Sequence, residues 1–173
     1  MNAKQIWQIT GYKNSGKTTL ITALLPMFKG EGKLVGVIKH DAHDFVMDHP
    51  GSDTFRFTES GADLTIITSA HRTAVLKPKP MSLDDILAET GPLDWTLVEG
   101  FKQEKYPKLL MLRDFDDTVL YDELITIRAV ILHPDMLKKP ERLHAWKVEV
   151  GITVPVFSRD ETSEIFHYMV DNA

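Results

Sequence analysis

The most constraining feature of this sequence is a glycine-rich stretch near its amino terminus, GYKNSGKT at residues 11–18. It follows the apolar run QIWQIT and precedes a predicted helix. The stretch matches G-x-x-x-x-G-K-[ST], in which two glycines let successive backbone N–H groups converge on phosphate oxygens. A strand, a loop of this pattern and a helix, in this order, predict an α/β protein with a phosphate-binding loop.

Apolar runs rich in β-branched residues recur along the chain and predict strands. These runs are QIWQIT, LVGVIK, LTIIT, TAVLK, WTLVEG, KLLML, TIRAVIL and TVPVFS. Several are apolar at consecutive positions, which is typical of strands covered on both faces by helices in a mostly parallel sheet. The runs therefore favour a three-layer α/β fold of the P-loop NTPase type, with a mostly parallel central sheet flanked by helices.

Helical stretches separate the predicted strands. They open at Gly16, cover about 52–60, and begin at Ser82, after Pro134 and at Asp160. Pro26 is expected to end or kink the first helix, because it cannot donate an intrahelical hydrogen bond. Since no repeat or Pro/Gly linker marks a boundary, we predict a single nucleotide-binding domain over residues 1–173.

The composition limits the classes of protein that this chain can represent. With 173 residues and 43% apolar residues, it can form one real hydrophobic core. No apolar run approaches the roughly 20 residues that span a bilayer, and the first residues do not read as a secretory signal, so we expect a cytoplasmic protein without membrane association. The net charge of −5 gives no broad basic surface, so we expect no nucleic-acid binding. Without cysteine, a metal must be held by oxygen or imidazole.

Two side chains of the glycine-rich stretch are suited to a nucleoside triphosphate. Lys17 can bridge the β- and γ-phosphates, and the Thr18 hydroxyl can coordinate the magnesium ion that neutralises the remaining charge. The partial positive charge at the helix N-terminus falls at the same place. The predicted nucleotide-binding residues are Gly11, Tyr12, Lys13, Asn14, Ser15, Gly16, Lys17, Thr18 and Thr19.

The stretch DWTLVEG supplies the acidic group that a phosphate site needs near magnesium. Residues 95–98 form the predicted strand, so Glu99 emerges at its carboxyl end, where ligands bind in open α/β sheets. Glu99 is predicted to hold a magnesium-bound water or to orient the attacking water, which makes Glu99 and Lys17 the candidate catalytic residues. Gly100 allows the backbone to approach the γ-phosphate. A solvated strand end is the alternative interpretation of Glu99.

The densest cluster of potential metal ligands, VIKHDAHDFVMDHPGSDTFRF, follows the second predicted strand. It interleaves His40, His43 and His49 with Asp41, Asp44, Asp48 and Asp53. Asp41 is predicted to join Thr18 and Glu99 around the magnesium ion. Imidazole and carboxylate also suit zinc or nickel, while a polar loop with turn-forming aspartates explains the same residues equally well. Arg56 is expected to pair with Asp53 one helical turn away.

Three blocks of this sequence together resemble the molybdopterin-guanine dinucleotide biosynthesis protein B (MobB) family of P-loop NTPases. They are GYKNSGKTTL, IKHDAHDFVMDHPGSDTFRFTESGA and LVEGFKQEKYPKLLMLRD. Many families share the phosphate loop, so it identifies this family less specifically than three other motifs do: the Lys-His step, D-x-P-G-x-D and V-E-G-F-K. Family members often carry a further histidine where this chain has Ala42, which weakens a metal role for the histidine-rich stretch.

The resemblance implies a dimeric, weakly hydrolysing GTP-binding protein that assists the attachment of GMP to molybdopterin, with GTP and magnesium as its ligands. Its implied partners are the molybdopterin guanylyltransferase that performs this step and molybdopterin or its molybdenum-bound form. Carried over to this sequence, the resemblance supports residues 11–19 at the nucleotide. It also suggests residues near the active face: Lys39, His40, Asp48, Asp53, Glu99, Gly100 and Lys102.

The guanine-reading motif N-K-x-D of many GTP-binding proteins is absent from this sequence. The best candidate by position is FSRD, where Asp160 follows the last predicted strand and Arg159 can stack its guanidinium plane on a purine. Asp160 is also a natural N-cap for the final helix, which is a strong competing interpretation. Asp160 is therefore a candidate base-reading residue with a competing structural role.

Three other classes of protein share parts of this pattern. A small-molecule kinase uses the same loop but usually needs an arginine-rich lid, and this chain has no arginine cluster. A metallochaperone NTPase would fit the histidines but would be expected to carry a more concentrated metal-binding element. A pure interaction module is the third alternative.

Overall fold

The computed structural model describes residues 4–41 and 44–173. Every run predicted as a strand forms one: β1 (Gln5–Thr10), β2 (Val35–Lys39), β3 (Thr65–Thr68), β4 (Thr73–Leu76), β5 (Trp95–Glu99), β6 (Lys108–Leu112), β7 (Ile127–Leu132) and β8 (Val156–Ser158). The helices are α1 (Lys17–Gly30), α2 (Asp53–Glu59), α3 (Leu83–Glu89), α4 (Leu120–Glu123), α5 (Pro134–Leu137), α6 (Pro140–Val150) and α7 (Thr162–Asp171), with a 3-10 turn at Phe115–Val119.

The chain divides into two compact units. The larger unit comprises the described residues up to His40 together with Thr90–Ala173, and the smaller one is Asp41–Glu89. The single domain predicted over residues 1–173 stays a prediction.

The larger unit contains a six-stranded sheet in the order β2-β5-β1-β6-β7-β8. Every neighbouring pair in it is parallel, which confirms the predicted α/β fold with a parallel central sheet. β1 lies between β5 and β6, with Ile9 opposite Glu99 and Thr10 opposite Leu110. The carboxyl ends of these three strands therefore meet at one edge of the sheet.

Helices cover both faces of this sheet. Because side chains alternate along a strand, Leu109 and Leu110 of β6 point to opposite faces. Leu109 belongs to a buried cluster with α1 and α7, in which Phe28 packs against Trp95 and Phe166 with ring centroids 4.6 and 4.8 Å apart. Leu110 belongs to a second buried cluster with residues of α4, α5 and α6. The arrangement is three-layered, as predicted.

The smaller unit holds a separate two-stranded sheet. β3 and β4 pair in antiparallel register, from Thr65 opposite Leu76 to Thr68 opposite Thr73. The four residues that join them are too few for a parallel crossover, so they form a hairpin, in which the Ser69 N–H donates to the Arg72 carbonyl at 2.9 Å. Two of the predicted strands thus do not join the parallel sheet.

Three predicted details at helix ends differ in the structure. Pro26 does not end α1, which runs to Gly30 because Leu24 and Phe28 are fully buried on either side of it, and the kink that was the other expected effect stays a prediction. The stretch after Pro134 forms two helices, since Lys139 precedes a proline and adopts a non-helical conformation. Asp160 does not cap α7, which begins at Thr162 after Glu161.

No helix among the described residues is long and apolar enough to cross a bilayer.

Candidate functional site

The glycine-rich loop leaves the carboxyl end of β1 and enters α1 directly. Gly11, with φ of 149°, lies so close to β6 that a Cβ there would be 2.5 Å from the Met111 carbonyl oxygen. Gly16 is the residue before α1 and has the left-handed φ of 91°, which glycine adopts without strain. Both glycines of the motif are therefore required by the backbone, one for close approach and one for conformation.

Lys17 is the first residue of α1, and its ammonium group folds back over the loop. Its Nζ donates to the Tyr12 carbonyl at 2.8 Å and to the Gly11 carbonyl at 3.3 Å. Burial lowers the pKa of Lys17, Glu99 acts to raise it, and nearby Lys102, Lys39 and Arg113 add to the lowering. A partly buried cation with several cations around it is an environment that an anionic ligand stabilises.

Glu99 ends β5, as predicted, and lies beside α1. Its Oε2 accepts a hydrogen bond from the Thr18 hydroxyl at 3.0 Å, and the residue is 8% exposed. The neighbouring strand ends bring Lys39 of β2 opposite Glu99 in register. The structure thus assembles Lys17, Thr18, Glu99 and Lys39 from three separate segments.

The backbone turns sharply after Glu99. Gly100 and Phe101 both have positive φ values, 93° and 50°. The buried Gln8 side-chain amide donates to both carbonyl oxygens of this turn, at 3.2 Å to Gly100 and 2.6 Å to Phe101. The His40 ring packs against this turn, with its centroid 4.5 Å from that of the Phe101 ring. Gln8 therefore holds the chain at the point where it leaves Glu99.

Arg113 and Asp117 support the loop from the other side, and the sequence analysis did not identify them. Arg113 donates through Nε and Nη2 to the two carboxylate oxygens of Asp117, at 2.8 and 2.6 Å, and through Nη1 to the Lys13 carbonyl at 3.1 Å. Burial acts to raise the pKa of Asp117, but the hydrogen bonds from Arg113 outweigh it and lower that pKa. Lys102 and Arg113 lie 4.4 and 5.5 Å from the Tyr12 ring centroid.

A cavity of about 430 Å³ opens over this loop. Its lining residues are Lys13, Asn14, Gly16, Lys17, Thr18, Thr19, Lys39, Glu99 and Arg159. Four of these nine residues are basic and one is acidic, so the lining is electropositive. Six of the nine come from the predicted phosphate loop, and the concave, positively charged shape fits a polyphosphate.

Other predicted residues lie in the smaller unit, where the structure gives them local roles. Asp48 accepts from the Ser52 hydroxyl at 2.7 Å and from the His49 N–H, and the Ser52 bond contributes most to lowering the Asp48 pKa. Asp53 lies 4.0 Å from Arg56, so the predicted pair is confirmed, with both side chains largely exposed. Asp41 is exposed, and its magnesium role stays a prediction.

The described residues of the histidine-rich stretch form no metal centre. Over residues 4–41 and 44–173, no group of three or more histidine, aspartate or glutamate side chains is arranged to hold a metal ion. His43 lies outside the described residues. At the end of β8, the Asp160 carboxylate is mostly exposed and 3.9 Å from Arg159 Nε, and its base-reading role stays a prediction.

A parallel sheet covered on both faces, with a glycine-rich loop between β1 and α1, defines a P-loop NTPase-like α/β protein. The family model described as Molybdopterin guanine dinucleotide synthesis protein B matches residues 6–133. The chain belongs to this family, MobB, as its three sequence blocks predicted.

Individual relatives support this assignment. The molybdopterin-guanine dinucleotide biosynthesis adapter protein of Haemophilus influenzae is 42% identical over 109 residues, which are 61% of this chain and 61% of that protein. A probable adapter protein of Bacillus subtilis is 29% identical over 160 residues, covering 90% and 86% of the two chains. The crystal structure of a MobB homologue from Bacillus stearothermophilus matches with a TM-score of 0.69 and 30% identity, covering 96% of each chain.

We expect Asp117→Asn to lower the free energy of unfolding at pH 7 by about 2 kcal/mol, because it removes the charged acceptor of Arg113. The folded-state pKa of Asp117 is lowered, so its contribution is present above the unfolded pKa of about 3.9 and is lost as the pH falls through the lower folded value. Urea unfolding from pH 7 to pH 3 measures the difference.

Asp116→Asn is the matched control, because Asp116 is exposed one residue away. The assigned Arg113–Asp117 pair would be contradicted if the loss of unfolding free energy in Asp117→Asn stayed constant with pH. It would also be contradicted if that loss were no larger than the loss in Asp116→Asn.

Proposed function

We propose that this protein is a GTP-binding accessory protein that assists the conversion of molybdopterin to its guanine dinucleotide form. The observation that carries the proposal is the hydrogen bond from the Thr18 hydroxyl to Glu99, beside Lys17 at the mouth of the phosphate loop. Membership of MobB and the adapter-protein names of its relatives support the pathway. Because this chain spans 61% of the Haemophilus relative, the activity and partners of that protein are extended here as proposals.

The donor set fits a magnesium-nucleotide complex. A threonine hydroxyl and a carboxylate are hard oxygen ligands, which magnesium prefers, and among the described residues that line the cavity there is no histidine, cysteine or methionine. When bound, the magnesium ion neutralises phosphate charge. Thr18 would hold it directly and Glu99 through water, while the Lys17 ammonium would exchange its two carbonyl acceptors for β- and γ-phosphate oxygens.

Hydrolysis of GTP is proposed as a slow side activity of the same site. One carboxylate oxygen of Glu99 accepts from Thr18, which leaves the other to orient an attacking water. Lys17 would stabilise the charge that develops on the phosphate oxygens. Glu99 and Lys17 are thus the proposed catalytic residues.

The proposed partners are the molybdopterin guanylyltransferase and molybdopterin, with or without molybdenum, and the proposed state is a homodimer in the cytoplasm. The adapter-protein names of the relatives support a partner of this kind. The metal-delivery alternative gains no support, because the described residues contain no group of three or more histidine, aspartate or glutamate side chains that could hold a metal ion. The small-molecule kinase alternative likewise has no specific observation in its favour.

Lys17→Ala is expected to weaken GTP binding in the presence of magnesium by about tenfold to hundredfold, because a charged hydrogen-bonding group is lost. Isothermal titration calorimetry measures the affinity. Lys29→Ala is the matched control, since Lys29 lies in the last turn of the same helix and its Nζ donates to the Lys33 carbonyl. An affinity equal to that of wild type in a folded Lys17→Ala protein would refute the phosphate-loop assignment.

Glu99→Gln is expected to lower the rate of GTP hydrolysis by more than tenfold while changing the GTP affinity by less than about threefold, since the amide keeps the shape but loses the charge that orients water. Phosphate release under single-turnover conditions gives the rate, and calorimetry gives the affinity. Exposed Glu31→Gln is the control. Equal losses of rate and affinity would make Glu99 a binding residue instead.

The accessory role is tested by adding this protein to a molybdopterin guanylyltransferase and measuring the yield of the dinucleotide. We expect wild type to raise the yield and Lys17→Ala to do so less, because assistance depends on bound nucleotide. No increase with wild-type protein at saturating GTP would reject the accessory role while leaving nucleotide binding intact.

A further inference from the structure

We propose that Arg159 contacts the phosphate chain of the nucleotide, an inference that rests on the proposed function. Arg159 follows β8, the edge strand of the sheet, and is distant in sequence from the phosphate loop. Its backbone N–H donates to the carbonyl of Leu132, the last residue of β7, at 2.9 Å. This bond fixes the start of the side chain at the carboxyl edge of the sheet, where the phosphate loop also lies.

The side chain then reaches Gly16. A Cβ built on Gly16 would be 2.8 Å from Arg159 Cδ and 2.9 Å from its Nη1. The absence of a side chain at Gly16 is therefore what lets the guanidinium lie against the residue before α1. That residue stands next to the first free N–H groups of the helix, which are the groups that receive phosphate oxygens.

The guanidinium has little bonding of its own. Among the described residues the guanidinium forms one ion pair, with Asp160, whose carboxylate oxygen lies 3.9 Å from Nε, which is too long for a strong hydrogen bond. Arg113 differs, because Asp117 and the Lys13 carbonyl occupy its Nε and both Nη groups. The side chain of Arg159 is 26% exposed and lines the cavity, so its donors are available to a ligand there.

Position and charge favour the phosphates over the purine base as its contact. Arg159 shares the cavity with Lys13, Lys17 and Lys39, and one carboxylate opposes these four cations. An arginine fork donates two parallel hydrogen bonds to phosphate oxygens, which a lysine cannot reproduce. From its position in the sequence, Arg159 was a candidate for stacking on a purine, whereas its contact with Gly16 puts the guanidinium at the phosphate loop itself.

The test uses three ligands that all carry a triphosphate chain, of which only two also carry a purine base. The magnesium complexes of GTP, ATP and inorganic tripolyphosphate are titrated into wild type, Arg159→Ala, Arg159→Lys and Arg128→Ala. Arg128 is the matched control. It is exposed near the amino end of β7, whereas the phosphate loop lies at the carboxyl ends of the strands. Thermal unfolding checks each variant, and Arg159→Lys keeps a cation should Arg159→Ala lose stability.

We expect Arg159→Ala to weaken all three ligands by a similar factor of about tenfold or more, with the GTP-to-ATP ratio unchanged. Arg159→Lys should fall between Arg159→Ala and wild type, and Arg128→Ala should match wild type. If Arg159→Ala weakened the binding of GTP and ATP but left the affinity for tripolyphosphate unchanged, the proposal would be overturned in favour of purine stacking. Unchanged affinities for all three would reduce Arg159 to a surface residue, whereas a wild-type protein that binds none of them would reject the proposed function as well.

Discussion

The site depends on one constraint, the parallel pairing of β1 with β5 on one side and β6 on the other. With Ile9 opposite Glu99, the loop that leaves β1 begins beside the residue that ends β5. On the other side, the backbone of Gly11 approaches Met111 so closely that no side chain fits between them. The Thr18–Glu99 hydrogen bond follows from this register, because the first turn of α1 stands over the end of β5. A shift of one residue would turn Glu99 to the other face of the sheet.

Electrostatics adds a second feature, the gathering of cations around one carboxylate. The positive charges of Lys102, Lys39 and Arg113 lower the pKa of Lys17, whereas the carboxylate of Glu99 raises it. Cations placed this close together repel one another unless an anion lies between them. In the structure the Lys17 ammonium donates to the Gly11 and Tyr12 carbonyls of the loop. A polyphosphate would replace these carbonyls and offset the mutual repulsion. The proposed function thus gives a reason for a charge arrangement that does not stabilise the fold by itself.

The sequence predicted the strands and the glycine-rich loop between β1 and α1 well, because both depend on local patterns. Apolar, β-branched runs identify strands wherever they fall, and the phosphate loop is specified by consecutive residues. The pairing of strands is not local, so the β3–β4 hairpin was not separated from the parallel sheet. The same limit applies to Arg113, whose contact with Lys13 joins residues 100 positions apart. Pro26 failed as a helix end because tertiary packing of α1 outweighs the loss of one hydrogen bond.

A crystal structure with magnesium and a non-hydrolysable GTP analogue tests the central claim most directly. The account predicts the β- and γ-phosphates on the backbone N–H groups of residues 14–18, with Lys17 Nζ moved from the Tyr12 carbonyl to a phosphate oxygen. It also predicts magnesium beside the Thr18 hydroxyl, with Glu99 within one water of the ion. An empty loop at a saturating concentration of the analogue, or a nucleotide bound elsewhere with Lys17 still on the Tyr12 carbonyl, would contradict it.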